Sequence, residues 1–183
     1  MNYIDVHKVK VHDLYFEKYI SGEKILARVQ EMGNELNDSF SDKKPIFLGI
    51  LNGCFMFMSD IVRACDFECE MSFVKISSYL GTKSTNKINT LIGLNESLKG
   101  RHVIIAEDII DSGKTIYHLI DTLKEMGVAS ITIVTLLLKP DAVQFKFPID
   151  MVGFEIPNDF VVGYGLDYDG LGRNLKDIYS LVK

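Results

Sequence analysis

The sequence predicts an α/β fold, a mainly parallel sheet flanked by helices with a small hood region beside it. Three observations carry that reading. Short, almost wholly apolar runs recur along the 183 residues, amphipathic stretches of helical spacing separate them, and the last part of the chain breaks into short pieces punctuated by Gly and Pro. Continuous apolar strands alternating with amphipathic helices are the pattern of a parallel sheet covered on both faces.

From Ser21, SGEKILARVQEMGNEL sets Ile25, Val29, Met32 and Leu36 on one helical stripe behind an N-cap candidate. PIFLGILNG is a strand that ends in a tight turn at Gly53, and FMFMSDIVRA reads as the next helix. EMSFVKISSY and RHVIIAED are strands; TIYHLIDTLKEMG puts Ile116, Leu119, Ile120 and Leu123 on one helical face before a stop at Gly127; SITIVTLLL is a buried strand. GTKSTNKINT, from Gly81 to Thr90, has no apolar period and is a solvated loop or a lid. The segment from Met151 onward, MVGFEIPNDFVVGYGLDYDGLGRNLKDIY, shows short strands and no clear helix. No linker or repeat divides the chain, so residues 1–183 are expected to form a single domain, its hood built from the N-terminal segment and roughly residues 150–183.

Hydrophobic residues make up 47% of the chain and mean hydropathy is +0.12, enough for an ordinary core without disulfides or metal staples. A formal charge of −5 and a pI near 5.4 argue against a broad nucleic-acid surface, because phosphate-backbone binding leaves a basic footprint. A small anionic substrate needs only a local cluster of donors. Cys54, Cys65 and Cys69 match neither a zinc ribbon nor a redox CxxC and are expected to be reduced packing residues. The start, MNYIDVHKVKVHDLYF, has no apolar h-region, and no run approaches the length of a membrane span. A cytoplasmic protein is expected, without nucleic-acid or membrane partners. His7, His12, His102 and His118 are scattered and suggest no metal site.

IIAEDIIDSGKTI, from Ile104 to Ile116, places Glu107, Asp108 and Asp111 at the start of a phosphate-type loop. In an open parallel sheet, ligands bind beyond the carboxyl ends of the strands, and HVIIAED delivers Glu107 and Asp108 to such an end. Both carboxylates are expected to reach one ligand from a fraying strand terminus. Ser112, Gly113, Lys114 and Thr115 then lead into a helix whose first amides suit one phosphate. Asp108 argues against a P-loop, since it stands where that motif needs Gly and would repel the polyphosphate the loop should wrap. A buried strand, a capped helix and some surface acids would account for the parts of this stretch taken singly. Two adjacent carboxylates repel unless a cation or hydroxyl donors relieve them, so a ligand with both a phosphate and a diol accounts for the whole.

VIIAEDIIDSGKT resembles the phosphoribosyl pyrophosphate motif of the type I phosphoribosyltransferases: an apolar strand, two acids, two apolar residues, then D-[ST]-G-K-T. The resemblance covers almost the whole chain and narrows to the hypoxanthine/guanine phosphoribosyltransferases. It implies the type I phosphoribosyltransferase fold and Mg²⁺-dependent transfer of 5-phosphoribose from phosphoribosyl pyrophosphate to a 6-oxopurine base, giving its nucleotide. It also implies a homodimer or homotetramer. Glu107, Asp108, Ile109, Ile110, Asp111, Ser112, Gly113, Lys114 and Thr115 would hold the phosphoribose, with Asp111 the base toward purine N7.

GILNGCFMF is similar to the first loop of that family, in which the peptide joining Leu51 to Asn52 would be cis and Leu51, Asn52 and Gly53 would meet pyrophosphate. Many members have Lys at the place of Asn52, which leaves backbone contacts to carry that role here. ISSYLGTKSTNK resembles the flexible loop, with Ser78 and Tyr79 closing over the reacting centre. Lys139 in LLLKPDA is, on its own, either snorkelling to solvent or recognising something. By resemblance it donates to purine O6.

NDFVVGYGLDYDGLGRNL resembles the base- and metal-binding segment: Phe160 stacking on the purine, Val161 meeting its edge through the backbone, Asp167 beside the purine and on a second Mg²⁺, Arg173 reaching pyrophosphate. Glu107 and Asp108 would serve the ribose hydroxyls and the associated metal. Tyr164 and Tyr168 read as packing residues. A nucleotide- or phosphoribosyl-pyrophosphate-sensing regulator of the same fold is the rival function; the acidic pI and the intact Asp111, Lys139 and Arg173 favour the enzyme.

Overall fold

Ser21 opens the first helix, its hydroxyl accepting from the Lys24 amide at 3.4 Å. In the computed structural model, which describes residues 8–76 and 98–183, this helix α1 spans Gly22–Phe40 and buries Ile25, Val29, Met32, Leu36 and Phe40. The expected stripe is thus extended by one step. Ser78 and Tyr79 lie outside the described residues.

Before α1, β1 (Lys8–Val11) and β2 (Leu14–Ile20) form a hairpin. After it come β3 (Ile46–Leu51), α2 (Phe55–Arg63), β4 (Glu70–Lys75), β5 (His102–Ile110), α3 (Lys114–Glu125) and β6 (Ser130–Leu138). The chain ends with β7 (Met151–Glu155), β8 (Val161–Val162) and β9 (Ile178–Leu181).

Five strands in the order β4-β3-β5-β6-β7 make an all-parallel sheet. Its strands are apolar in both directions because both faces are covered. On one face α1 and α2 pack Met32, Leu36, Phe57 and Ile61 against Ile104 and Ala106. On the other, Ile116, Leu119 and Leu123 of α3 pack against Val103 and Ile105. The helices that follow neighbouring strands β3 and β5 therefore leave to opposite faces. That divergence opens a crevice at the strand ends, the usual ligand position in open α/β sheets.

The hood is a four-stranded antiparallel sheet, β1-β2-β9-β8, over Val11, Phe16, Val162 and Tyr179. One expectation needs correction: Met151–Glu155, placed in the hood from its sequence, pairs as β7 with β6 in the main sheet. A five-residue run with Gly153 in its middle has no distinctive period, and its place is decided by register, Leu137 opposite Phe154. Gly153 fits because a Cβ there would stand 2.5 Å from the Leu136 carbonyl oxygen. Arg28 of α1 covers this edge strand, donating to the Val152 and Gly153 carbonyls at 3.0 and 3.3 Å. No helix among the described residues is long and apolar enough to cross a membrane.

The position of α2, and with it the loop after β3, depends on how closely α1 approaches. A methyl at Gly33 would stand 2.5 Å from Ala64 Cβ and 2.6 Å from the Ala64 carbonyl oxygen. Alanine is the better helix former by about 1 kcal/mol, but overpacking costs about 1–3 kcal/mol. Gly33→Ala should therefore lower the melting temperature by several degrees. An unchanged melt would mean that α2 backs away freely.

Candidate active site

β5 does not fray after Asp108. Ile109 and Ile110 continue the ladder opposite Leu137 and Leu138 of β6, so the acid pair lies within the strand and both residues are buried. The two carboxylates then differ. Burial, with the Asp108 charge in second place, pushes the Glu107 carboxyl well above its ordinary range, and Glu107 Oε2 has no hydrogen-bond partner. Asp108 Oδ1 accepts from the Ile109 amide at 3.0 Å. Burial pushes its pKa up to about 6, with backbone donors and the Arg173 charge pulling the other way and Asp167 adding to the rise.

Asp108 also sets the loop after β3. A Cβ on Gly53 would collide with the Asp108 carboxylate, and one on Gly165 would collide with the Gly53 carbonyl oxygen. Three distant segments thus meet with nothing but backbone and a carboxylate between them. The Leu51–Asn52 peptide is cis, as expected from the resemblance. Beside it lies a cleft of about 300 Å³ lined by Leu51, Asn52, Phe55, Met56, Gly165 and Arg173. Arg173 pairs with Asp167 at 2.6 Å and donates to the Gly165 carbonyl at 2.6 Å, while Asp167 accepts from the Gly170 amide at 2.7 Å. Cys54, buried behind this loop, is held well above the usual thiol range, first by burial and then by the charges of Glu107 and Asp108. It is a packing residue, and all three cysteines are free thiols.

Beyond β5, Asp111 is exposed and Gly113 takes a left-handed φ of 79° as the chain turns into α3. The Ser112 carbonyl accepts from the Gln144 and Phe145 amides at 3.0 and 3.2 Å, and a Cβ on Gly113 would stand 3.0 Å from both the Phe145 carbonyl oxygen and the Phe147 ring. The first bond of α3 runs from the Tyr117 amide to the Gly113 carbonyl at 3.0 Å, so the amides of the opening turn face outward with Lys114 and Thr115 exposed. Sequence reasoning missed this buttress, since nothing local ties Phe145 and Phe147 to a loop some thirty residues earlier.

At the end of β6 the Lys139 amide bonds the Ile110 carbonyl at 3.0 Å, and its buried side chain reaches Asp111 Oδ2 at 3.0 Å. Lys139 is not snorkelling. In the hood, Phe160 is 42% exposed and rests on Phe16 and Tyr168, with ring centroids 6.0 and 5.7 Å away. Val161 beside it is buried in β8, opposite Ser180 of β9. The structure brings Glu107, Asp108, Gly53, Asp167 and Arg173 to one end of the crevice and Asp111 with Lys139 to another.

No three His, Cys, Asp or Glu side chains converge as a ready metal cage among the described residues. Asp108 and Asp167, which sense each other's charge, do suit a hard cation of the Mg²⁺ kind. Such a cation commonly takes one or two carboxylates and completes its shell with water and substrate oxygens.

A carboxyl whose pKa is higher folded than unfolded binds more protons in the native state. Its contribution is complete below the unfolded value and is lost as the pH rises through the folded one. For Asp108 that window runs from 3.8 to about 6. Without divalent cation or phosphate, stability should fall as the pH rises through it. Asp108→Asn should flatten the fall and melt higher at neutral pH, by up to about 3 kcal/mol. Melting curves that track wild type across the window would assign the dependence elsewhere.

The phosphoribosyl transferase domain family matches residues 17–169. The chain is 43% identical over 157 residues to the hypoxanthine-guanine phosphoribosyltransferase of Bacillus subtilis, covering 85% of this chain and 87% of the relative. It is 41% identical over 157 residues to the bifunctional protein TilS/HprT of Listeria monocytogenes, with 85% of this chain matched, and spans 24% of that longer protein. Among solved structures, a hypoxanthine phosphoribosyltransferase from Staphylococcus aureus superposes with a TM-score of 0.86 at 38% identity, over 91% of each chain. With the parallel sheet, the hood and the acid-bearing β5 already described, these likenesses show that the chain belongs to the hypoxanthine/guanine phosphoribosyltransferase family.

Proposed function

We propose that this chain is a purine-salvage transferase. It moves 5-phosphoribose from phosphoribosyl pyrophosphate to N9 of hypoxanthine or guanine, giving IMP or GMP and pyrophosphate. The observation that carries this reading is the Lys139–Asp111 pair at 3.0 Å. A 6-oxopurine presents O6, an acceptor, next to N7 on one edge. An ammonium beside a carboxylate matches that edge, the first donating to O6 and the second taking the proton from N7. Adenine carries an amino donor at position 6, and a buried ammonium facing it would lose its acceptor.

In this mechanism the bond from C1 of the sugar to the pyrophosphate oxygen breaks as the bond to N9 forms, and the base's proton passes to Asp111. Phe160, with Phe16 and Tyr168 behind it, offers its open face to the base, and the Val161 backbone its edge. The amides at the start of α3, with Ser112 and Thr115, take the 5-phosphate. Leu51, Asn52 and Gly53 offer backbone to the pyrophosphate, and Arg173 its guanidinium. Mg²⁺, when bound, would neutralise charge developing on the leaving oxygens. Asp108 and Asp167 are suited to hold it. Glu107, buried beside Asp108 with Oε2 unpartnered, would serve the ribose hydroxyls and the associated metal. The Bacillus subtilis and Staphylococcus aureus relatives named above are phosphoribosyltransferases, which removes support from the regulator reading. A cytoplasmic homodimer or homotetramer without nucleic-acid or membrane partners completes the proposal.

Pyrophosphate release should be fast with phosphoribosyl pyrophosphate, Mg²⁺ and hypoxanthine or guanine, and slow with adenine or uracil. No release with any base would overturn the assignment. Asp111→Asn should lower turnover by roughly 10²- to 10⁴-fold, the range of a lost general base, with little change in phosphoribosyl pyrophosphate affinity. Lys139→Gln should reduce kcat/KM for hypoxanthine roughly 10- to 100-fold, as expected for a charged hydrogen bond. Equal losses with adenine would remove Lys139 as the discriminating group.

A further inference from the structure

Tyr164 has features that packing alone does not require. It is a buried tyrosine with a left-handed φ of 49°, set between Gly163 and Gly165 at φ 101° and 100°. Three consecutive residues in that region make a turn that L side chains disfavour, so the middle one needs holding. Two bonds hold it. Its amide donates to the Leu175 carbonyl at 2.9 Å, and its hydroxyl donates to Asp60 Oδ2 on α2 at 2.5 Å, across 104 residues of chain. Burial and the Asp60 contact push the Tyr164 hydroxyl far above the ordinary tyrosine range, so it stays a donor at any working pH.

Both ends of that bond lead to the pyrophosphate end of the site. On the hood side, the next residue, Gly165, lies against the Gly53 carbonyl, its amide donates to the Arg173 carbonyl at 3.0 Å, and its carbonyl accepts from the Arg173 guanidinium at 2.6 Å. The same guanidinium pairs with Asp167. On the sheet side, Asp60 belongs to the helix that begins directly after the Leu51–Gly53 loop, and Phe57, Met58 and Ile61 anchor that helix in the core. Asp60 also pairs with Arg63 at 3.8 Å, but that side chain is 80% exposed and too loosely held to substitute for the tyrosine.

We propose that Asp60 and Tyr164 are positioning residues for the pyrophosphate end of the site, holding the turn that carries Asp167 and Arg173 against the Leu51–Gly53 loop. This rests on the transferase reading above. The bond touches neither the Lys139–Asp111 pair nor Phe160, so it separates the two ends of the site: loosening it widens the cleft beside Arg173 and leaves the base end as it was.

The test uses the full chain and compares wild type with Tyr164→Phe, Asp60→Ala and Asp60→Asn. The last keeps a carbonyl oxygen for the hydroxyl to donate to. Tyr164→Phe and Asp60→Ala should raise the KM for phosphoribosyl pyrophosphate, and the calorimetric Kd for inorganic pyrophosphate with Mg²⁺, by roughly 5- to 20-fold, less than the full worth of a hydrogen bond to a charged group because this bond acts through the turn and not on the ligand. The KM for hypoxanthine should stay within about twofold, and Asp60→Asn should recover most of the loss. The proposal is overturned if both KM values move together, if pyrophosphate binding does not change, or if Asp60→Asn is as impaired as Asp60→Ala. Should Tyr164→Phe fail to fold, the two Asp60 variants decide the matter. If wild type releases no pyrophosphate with any base, the transferase reading fails on its own account, and the calorimetric comparison still judges the positioning role.

Discussion

Everything at the crevice depends on the contact at Gly53. The Asp108 carboxylate fills the space a side chain would take on one side of this residue, and Gly165 approaches its carbonyl on the other. The carboxylate arrives from β5, the glycine from the loop after β3 and the third segment from the hood. None of these can shift without the others. A carboxylate buried this deeply is costly, as its raised pKa records, and the native state bears that cost at a place where a cation or a set of hydroxyls would relieve it. Such local expense, offset by the packing of the rest of the domain, is usual where a ligand is to be bound.

Much of this was legible along the chain. Apolar runs at PIFLGIL, HVIIAED and SITIVTLLL became β3, β5 and β6, and the stripes Ile25–Leu36 and Ile116–Leu123 became the buried faces of α1 and α3. These signals are local, and a parallel sheet with both faces covered writes them strongly. What could not be read depends on register or on distance. Whether Met151–Glu155 pairs with β6 or joins the hood is decided by neighbours its own residues do not name. The acid pair was visible, but its inequality was not: Glu107 and Asp108 are adjacent letters, and only the continued ladder to Ile110 shows that both are buried within a strand. Tyr164 looked like packing because its partner lies on another element.

Lys139 shows how the two kinds of information combine. A lysine ending a buried strand is ambiguous by itself. The register of β5 against β6 brings Ile110 and Leu138 level, so the residue after each strand faces the other, and the ambiguity ends with an ion pair. The pair is asymmetric, a buried ammonium against a half-open carboxylate. Its net contribution to stability is therefore small, solvent screening one partner and desolvation taxing the other. Its value lies in orientation, since it keeps a donor and an acceptor side by side before any ligand arrives.

The arginine laid over β7 bears on how the molecule behaves in a crowded solution. An all-parallel sheet with two bare edges invites strands from other copies to add at both ends, and only a sheet that can grow from both ends builds a fibre. Arg28 occupies carbonyls of Val152 and Gly153, with Glu31 and Glu35 balancing its charge at 3.0 and 3.4 Å. A strand adding along β7 would have to displace this arginine and its two carboxylate partners, which disfavours growth of the sheet from that side.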